Sequence, residues 1–331
     1  MKALKRYTAN EIDKQALNGQ RLLVIGYGSQ GSAQALNLRD SGFSVRVAAR
    51  KGGAGWNRAL ADGFEPYADF SAAVRESDII ALLLPDTALP TVWTAAIQPA
   101  LTPGKTLIFA HGFNIAYQCV NPPTDIDVVL VAPKAIGPRL RSLYTEGAGP
   151  ACLVGVHSDA TGSAERTAVA WASGIGADRS VIMKTTFKDE TETDLFGEQA
   201  VLCGGLTHLI QTAFETLTDA GYAPELAYYE CLHEVKLIAD MVYANGIQAM
   251  RAKISDTARY GDLTRGPRLI NDSVRETMKT ALSEIQSGAF AREFITAAGK
   301  GVNYDALDES GAAGRLLEDV GRTLRREMGI G

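Results

Sequence analysis

Two pairs of acidic residues, each four positions apart, could bind a metal ion. Asp194 and Glu198 lie in ETETDLFGEQAVLCGG, and Glu230 and Glu234 lie in YYECLHEVKL. Residues four apart share a helix face, although acids near a helix start are also common as solvated surface residues. Gathered carboxylates repel one another unless cations neutralise them, and oxygen ligands favour hard ions such as Mg²⁺. The pairs therefore predict a magnesium site, with room for two ions.

A histidine and a lysine each come directly after an apolar run. His111 follows KTLIFA, and Lys134 follows VVLVAP. Ligands of open α/β sheets bind beyond the carboxyl ends of the strands, so both side chains are expected to face the binding crevice. A single polar residue after a buried strand often marks only the point where the strand reaches the surface. Here two such residues occur in a chain that also has the four acids, which favours a functional role. His233 lies beside Glu234 on a different helical face, which disfavours zinc.

A glycine-rich turn follows the first apolar run of the chain, RLLVI. In GYGSQG the glycines fit the pattern G-x-G-x-x-G directly ahead of the helix-like segment SAQALNLRDSG. The first glycine permits the tight turn, the second lets the backbone approach a pyrophosphate, and the third lets the helix pack on the strand. In this context the pattern predicts a dinucleotide site rather than a structural turn. The residues expected to contact the cofactor are Gly26, Tyr27, Gly28, Ser29, Gln30 and Gly31.

The end of the second apolar run, FSVRVAAR, bears on the choice of cofactor. Enzymes that bind NAD usually present an acid there to the ribose, whereas this chain has Arg50 and Lys51. Basic residues favour the 2′-phosphate of NADP. Asp86 follows the run DIIALLLP, close to the place that a nicotinamide ribose takes in such folds.

Short apolar runs alternate with helix-like segments in the first half of the chain, which predicts parallel strands with helices on both faces. After about residue 185 the apolar period becomes 3.6 residues, as in LIQTAFETLTDAG and SVRETMKTALSEIQSG. The sequence therefore predicts a doubly wound, Rossmann-type nucleotide-binding domain over 1–185 and an all-α domain over 186–331.

Composition limits the classes of partner. The chain has 331 residues, a formal net charge of -5 and a pI near 5.5, which argues against nucleic-acid or anionic-membrane surfaces and favours small metabolites. Four widely spaced cysteines and a polar N-terminus without an apolar segment indicate neither a disulfide framework nor export. We expect a protein of the reducing cytoplasm, with no membrane span.

Taken together, the motifs resemble those of ketol-acid reductoisomerases, the acetohydroxy acid isomeroreductases of branched-chain amino-acid synthesis. The resemblance covers nearly the whole chain, in the order VIGYGSQGSAQALNLRDSG, HGFNI, APK, ETETDLFGEQAVLCGG, ECLHEVKLIADMVY, ISDTARYGD and GPR. The length resembles the short class I form, whose helical domains are intertwined, or knotted, between two subunits. The resemblance implies a homodimer, which could assemble further, and a two-step reaction. A magnesium-assisted alkyl shift of 2-acetolactate or 2-aceto-2-hydroxybutyrate is followed by NADPH or NADH reduction to a 2,3-dihydroxy acid.

The resemblance also implies individual roles. Asp194 would bridge two magnesium ions, Glu198 would bind one of them, and the partner subunit would supply Glu230 and Glu234 to the same site. Ser255, in ISDTA, matches the contact to the substrate carboxylate, although a serine in that position is usually a helix cap. The implied catalytic residues are His111, Lys134, Glu234 and Ser255, and Gly137 joins the cofactor contacts.

Two loops depart from the family pattern. The usual PKGPG is here PKAIGP, with Ala135 and Ile136 after Lys134, and the serines that commonly hold the 2′-phosphate are replaced by Gly53 and Gly55. Three other interpretations therefore stay open: a paralogue acting on a related acyloin acid, a metal-independent β-hydroxyacid-type dehydrogenase, and a non-catalytic nucleotide-binding protein. The glycines predict weak discrimination between NADPH and NADH.

Overall fold

A computed structural model describes residues 3–330 of the chain. They form two compact units, the first ending at Thr193 and the second beginning at Asp194. The division falls inside one helix, α8 (Phe187–Gly197), which starts in the first unit and ends in the second.

A seven-stranded sheet forms the centre of the first unit. The strands are β1 (Leu22–Ile25), β2 (Val45–Ala48), β3 (Ile79–Leu82), β4 (Thr106–Phe109), β5 (Asp127–Pro133), β6 (Cys152–Ser158) and β7 (Ile182–Lys184). Their order in the sheet is β2-β1-β3-β4-β5-β6-β7. The first five strands are parallel, as the sequence predicts.

The strand β6 runs antiparallel to β5, with Cys152 opposite Pro133. The connection from β5 returns to the same end of the sheet, so β6 begins beside the carboxyl end of β5. No pattern in the sequence distinguishes this strand from its parallel neighbours. β7 then pairs parallel to β6.

Both faces of the sheet are covered. Along β1, Leu22 and Val24 belong to one buried apolar cluster, and Leu23 and Ile25 belong to another on the opposite face. Alternate residues of a strand point to opposite faces, so a strand buried on both faces must be apolar throughout. The covering helices are α1 (Ser29–Asp40), α2 (Ala54–Ala61), α3 (Phe70–Arg75), α4 (Leu89–Val92), α5 (Phe113–Ala116), α6 (Gly137–Thr145) and α7 (Ala164–Gly174). The predicted doubly wound fold is confirmed.

Shorter turns complete this unit. Three 3₁₀ segments occupy Ala9–Glu11, Gln98–Ala100 and Ala177–Arg179, and a π segment occupies Trp93–Ile97.

The second unit is helical throughout, as predicted. After α8 and a π segment it contains α9 (Gly204–Asp219), α10 (Pro224–Tyr228), α11 (Glu234–Asn245), α12 (Ile247–Lys253), α13 (Asp256–Leu269), α14 (Asp272–Gln286), α15 (Ala289–Lys300), α16 (Tyr304–Leu307) and α17 (Gly311–Glu327). Its buried core is small and joins α9, α10 and α17 through Phe214, Ala227, Tyr228, Leu317 and Leu324. Among the described residues, none of the helices combines the length and the apolar character that a membrane span requires.

Candidate active site

The glycine-rich turn adopts the geometry that a pyrophosphate requires. Gly26 has a φ of 95°, and a Cβ there would lie 2.5 Å from the Leu83 carbonyl oxygen, so only glycine fits. Gly28 is the N-cap of α1 and provides no side-chain cap, and a Cβ there would meet no atom within 4 Å. The first amides of α1 therefore face open space, where an anion can accept their hydrogen bonds.

A cleft of about 870 Å³ lies beyond this turn. Its lining includes these residues named from the sequence: Gly26, Tyr27, Gly28, Ser29, Gln30, Arg50, Lys51, Gly53, Gly55, Asp86 and His111. Gly31 and Gly137 lie behind the lining, where Gly31 packs against the Gly26 carbonyl group and Gly137 packs against Ser29. Both are close backbone approaches that a side chain would block.

Tyr27 anchors the helix that follows the basic loop. Its hydroxyl donates a 2.9 Å hydrogen bond to the Asp62 carboxylate, just after α2, and its ring contacts Phe64 edge to face. Burial, followed by this hydrogen bond, raises the pKa of Tyr27 above its ordinary range. At the other end of α2, a Cβ on Gly55 would lie 3.1 Å from the Tyr27 carbonyl oxygen. The position of the loop before α2 therefore depends on Tyr27.

His111 and Lys134 are brought together by a buried glutamate, Glu190 of α8. This carboxylate is 1% exposed and accepts hydrogen bonds from the Lys134 Nζ at 2.8 Å and from the Gly112 amide at 3.0 Å. Its other contact is the His111 Nδ1, at 3.2 Å. Burial acts to raise the pKa of Glu190, but His111 and Lys134 outweigh it, so the pKa lies below the usual range. An ionised glutamate thus lies against a lysine ammonium group and a histidine ring from neighbouring strand ends.

Asp86 occupies the end of the neighbouring strand β3. Its carboxylate accepts a 2.8 Å hydrogen bond from the side-chain amide of Asn114, which is 1% exposed. Burial raises the pKa of Asp86, although His111 and Asn114 act in the opposite direction. The carboxyl ends of β3, β4 and β5 therefore carry Asp86, His111 and Lys134 to the same edge of the sheet.

Glu190 and Asn114 are functional candidates that the sequence does not single out. Glu190 stands four residues before Asp194, in the acidic segment noted above, and this spacing is the only local signal for it. Asn114 lies in HGFNI, and no periodicity distinguishes it. Their importance comes from burial and from contacts with residues distant in sequence.

The four acids named first lie on irregular helical turns. Asp194 is half-buried on α8, one turn after Glu190, and Glu198 begins a π segment over Glu198–Leu202. Glu230 lies in a second π segment, Tyr229–His233, and Glu234 begins α11 directly after it. Single π turns within α-helices frequently mark functional sites.

The four acids do not form a cluster within the second unit. Glu198, Glu230 and Glu234 are exposed, and within the described part of the second unit no three acidic, histidine or cysteine side chains lie close enough to share an ion. Ser255 is exposed and acts as the N-cap of α13, where its Oγ accepts a 3.1 Å hydrogen bond from the Ala258 amide. The hydroxyl hydrogen of Ser255 can still be donated to another group.

The doubly wound sheet, the glycine turn and the cleft at the strand ends define an NAD(P)-dependent oxidoreductase. The comparisons with known proteins narrow this class. Residues 16–181 match the family described as acetohydroxy acid isomeroreductase, NADPH-binding domain, and residues 187–330 match the ketol-acid reductoisomerase C-terminal domain. The chain belongs to the ketol-acid reductoisomerase family.

A solved structure agrees over almost the full length. The NADH-preferring ketol-acid reductoisomerase from an uncultured archean is 39% identical, with 98% of this chain and 99% of that chain covered and a TM-score of 0.93. Two more distant structures share the fold alone. A semialdehyde dehydrogenase NAD-binding protein from Cupriavidus necator is 18% identical (81% and 99% covered, TM-score 0.62). A pyrroline-5-carboxylate reductase from Coxiella burnetii is 14% identical (83% and 98% covered, TM-score 0.54).

The chain is therefore an NAD(P)H-dependent ketol-acid reductoisomerase of branched-chain amino-acid synthesis, and magnesium is a cofactor of its family. The structure fits both groups. The open space in front of Gly28 and the free first turn of α1 suit a pyrophosphate. The carboxylates of α8 and α11 supply the oxygen donors that magnesium prefers.

Proposed function

We propose that this enzyme converts 2-acetolactate and 2-aceto-2-hydroxybutyrate at a site built around Glu190, His111 and Lys134. The observation that carries the proposal is the buried, ionised Glu190, which binds Lys134 and lies 3.2 Å from the His111 ring at the edge of the cofactor cleft. A plain dehydrogenase site needs no such arrangement beside an acidic helix. Conversion of a related acyloin acid remains the second candidate, favoured by Ala135 and Ile136 in the loop after Lys134.

Each residue has a role that its contacts support. Lys134 presents its ammonium group to substrate oxygens while Glu190 fixes its direction, and His111 offers a ring nitrogen to the same network. Asp194 and Glu198 bind metal, with Glu230 and Glu234 added from the partner subunit, and Ser255 contacts the substrate carboxylate. When bound, two magnesium ions supply Lewis acidity for the alkyl shift and the nicotinamide supplies the hydride. The chain contributes orientation and charge.

The cofactor loop supports use of NADH as well as NADPH. Arg50 and Lys51 line the cleft and offer positive charge to a 2′-phosphate, whereas Gly53 and Gly55 offer no hydroxyl donor. The similar archaeal enzyme is NADH-preferring. We infer that this enzyme discriminates only weakly between the two cofactors.

The test is an assay of NADPH and NADH oxidation with 2-acetolactate, with and without Mg²⁺. We expect turnover that depends on magnesium and that proceeds with both cofactors. Magnesium-independent turnover would favour the β-hydroxyacid-type dehydrogenase. Cofactor binding without turnover of any 2-aceto-2-hydroxy acid would favour a non-catalytic protein, and faster turnover of a different acyloin acid would favour the paralogue.

We also propose that the active form is at least a homodimer with intertwined helical domains. Among the described residues, the exposed large apolar side chains of the first unit are Leu4, Leu60 and Ile136, and all the others lie in the second unit. They recur on α9, α11 and α13, including Leu209, Leu237 and Leu263. Exposed apolar helix faces of this extent are typical of surfaces that a second subunit covers.

A complementation experiment tests whether the site is shared. Chains with Asp194→Asn and chains with Glu230→Gln should each be inactive. When the two are co-expressed, some dimers carry one site free of both changes, so activity should reappear. Purified heterodimers that stay as inactive as the separate variants would show that each site is built within one chain.

For the cellular location, we propose the cytoplasm. The four cysteines, Cys119, Cys152, Cys203 and Cys231, are all free thiols, which suits a reducing compartment. Fractionation of the native host would test this, and enrichment in an oxidising compartment would contradict it.

A further inference from the structure

A chain of three hydrogen bonds connects the core of the first unit to the loop that carries Lys134. The indole Nε1 of Trp171 donates to the Oε1 of Gln34 at 2.9 Å. The Nε2 of Gln34 donates to the Oε1 of Gln30 at 3.2 Å, and the Nε2 of Gln30 donates to the Ala135 carbonyl oxygen at 2.7 Å. Gln30 and Gln34 lie one turn apart on α1, the helix that begins at the glycine turn.

The chemistry of the two ends gives this chain a single direction. An indole N–H can only donate, and a backbone carbonyl can only accept. Each glutamine between them must therefore turn its oxygen toward Trp171 and its amide toward Ala135. Trp171 and Gln34 are both fully buried. Reversing the side-chain amide of Gln34 would place its NH₂ group against the indole N–H, and a buried donor would then face another donor.

The loop held by this chain also packs directly on the glycine turn. A Cβ on Gly137, the first residue of α6, would collide with the backbone of Ser29. On the strand side, the Lys134 amide donates to the Ala151 carbonyl oxygen at 2.8 Å. Lys134 is thus held by the residue that precedes β6, and the residues after it are held by α1.

We propose that Gln30 is a positioning residue for Lys134, which acts by holding the Ala135 carbonyl group and is itself oriented by Gln34 and Trp171. The glycine turn would then serve two functions: its backbone amides receive the pyrophosphate, while the Gln30 side chain faces the loop of Lys134. This inference rests on the proposed role of Lys134 in substrate binding and turnover.

The test replaces Gln30 with methionine, which has a similar length and no hydrogen-bonding amide. Gln98→Met is the matched control, because Gln98 is exposed in the first unit outside the cofactor cleft. Loss of one neutral hydrogen bond should lower kcat with 2-acetolactate by about fivefold to tenfold. The Kd of NADPH, measured by its fluorescence, should stay within about twofold, because the backbone amides of the turn are retained.

Hydrogen exchange provides a readout that needs no turnover. The amides of Lys134 and Leu140, which donate to the carbonyl oxygens of Ala151 and Ile136, should exchange faster in Gln30→Met than in the control, without a matching increase in the rest of the sheet. If the unaltered enzyme does not turn over acetolactate, the proposed function fails, while the exchange comparison still decides the role of Gln30. Equal exchange and equal kcat in the two variants, or a loss confined to NADPH affinity, would overturn the proposal.

A second variant tests whether Trp171 orients Gln30 through the three hydrogen bonds. Trp171→Phe removes the donor at the buried end without altering Gln30, so it should lower kcat by about twofold to threefold. The double variant should be no slower than Gln30→Met alone, since the two residues act through one contact. If the decreases in kcat caused by the two substitutions multiply in the double variant, the hydrogen bonds do not transmit orientation from Trp171 to Gln30.

Discussion

The carboxylates of the two units differ in how far they are buried and in whether they are paired. In the first unit a glutamate of α8 that is 1% exposed contacts a lysine, a histidine and a backbone amide at the carboxyl ends of the strands. In the second unit Glu198, Glu230 and Glu234 are exposed, and the buried core is small. The first unit therefore holds its part of the site by its own packing, whereas the second depends on what covers it.

The difference has an electrostatic cause. A buried carboxylate must be paired, so its partners are part of the fold and the geometry is present before any ligand binds. Exposed carboxylates are stabilised by water, so the fold does not require charged partners beside them. The surroundings of Glu190 are thus preformed, and in the proposed dimer the metal site would be completed on assembly.

The largest effect is expected at Asp194, on the helix that the two units share. Asp194→Asn keeps the shape of the side chain but removes a metal-binding charge, so acetolactate turnover should fall by about 10³-fold or more. Calorimetry should show weakened Mg²⁺ binding together with an unchanged Kd for NADPH. Full acetolactate turnover by this variant would eliminate the metal assignment for Asp194.

The next largest effect is expected from a charge placed on the exposed apolar surface of the second unit. Leu60 and Leu237 are almost equally exposed, at 51% and 52%, but lie in the first and the second unit respectively. Leu237→Asp should weaken the dimer by about tenfold or more and lower activity with it, as expected for a charge placed in an apolar interface. Leu60→Asp should change neither. Sedimentation at several concentrations measures both, and equal behaviour of the two variants would contradict the assignment of the interface.

A smaller effect is expected in the cofactor loop. Gly53→Ser should improve the preference for NADPH over NADH by about fivefold to tenfold, the value of one added hydrogen bond. Gly55→Ser should give a similar gain, because an added Cβ is equally tight at both positions, 3.1 Å from the Arg50 carbonyl oxygen at position 53 and 3.1 Å from the Tyr27 carbonyl oxygen at position 55. The kcat/KM ratios for the two cofactors measure this. An unaltered enzyme that already favours NADPH a thousandfold would show that Arg50 and Lys51 suffice.

The smallest effect concerns the edge of the sheet. Glu165 accepts hydrogen bonds from Lys184 and from Tyr7, and these two contacts, in that order, lower its pKa. Because the pKa is lower in the folded state, the stability it contributes is present above pH 4 to 5 and is lost as the pH falls through the folded value. Glu165→Gln should cost about 1 kcal/mol at pH 7, since the carboxylate is partly exposed.

Thermal unfolding at several pH values checks this prediction. The difference in Tm between Glu165→Gln and the unaltered protein should shrink as the pH is lowered toward 3. A difference that is constant or grows with acidity would show that the carboxylate charge is not the cause.

The sequence by itself determined the features that depend on local spacing. The glycine turn follows from three residues in six positions, the strands from short apolar runs, and the helical second unit from a period of 3.6 residues. Carboxylates four residues apart are also visible without a fold, and the metal ligands inferred from them stay a prediction. These signals are local because backbone geometry and helix period act over a few residues.

Only the tertiary structure decided the remainder. The burial of Glu190, its contacts with His111 and Lys134, the reversal of β6, and the hydrogen-bonded chain from Trp171 to Ala135 all join residues far apart in sequence. A carboxylate in an acidic segment looks like a solvated surface residue until the sheet places a lysine beside it. Burial and pairing belong to the packed protein as a whole, so no short stretch of the chain specifies them.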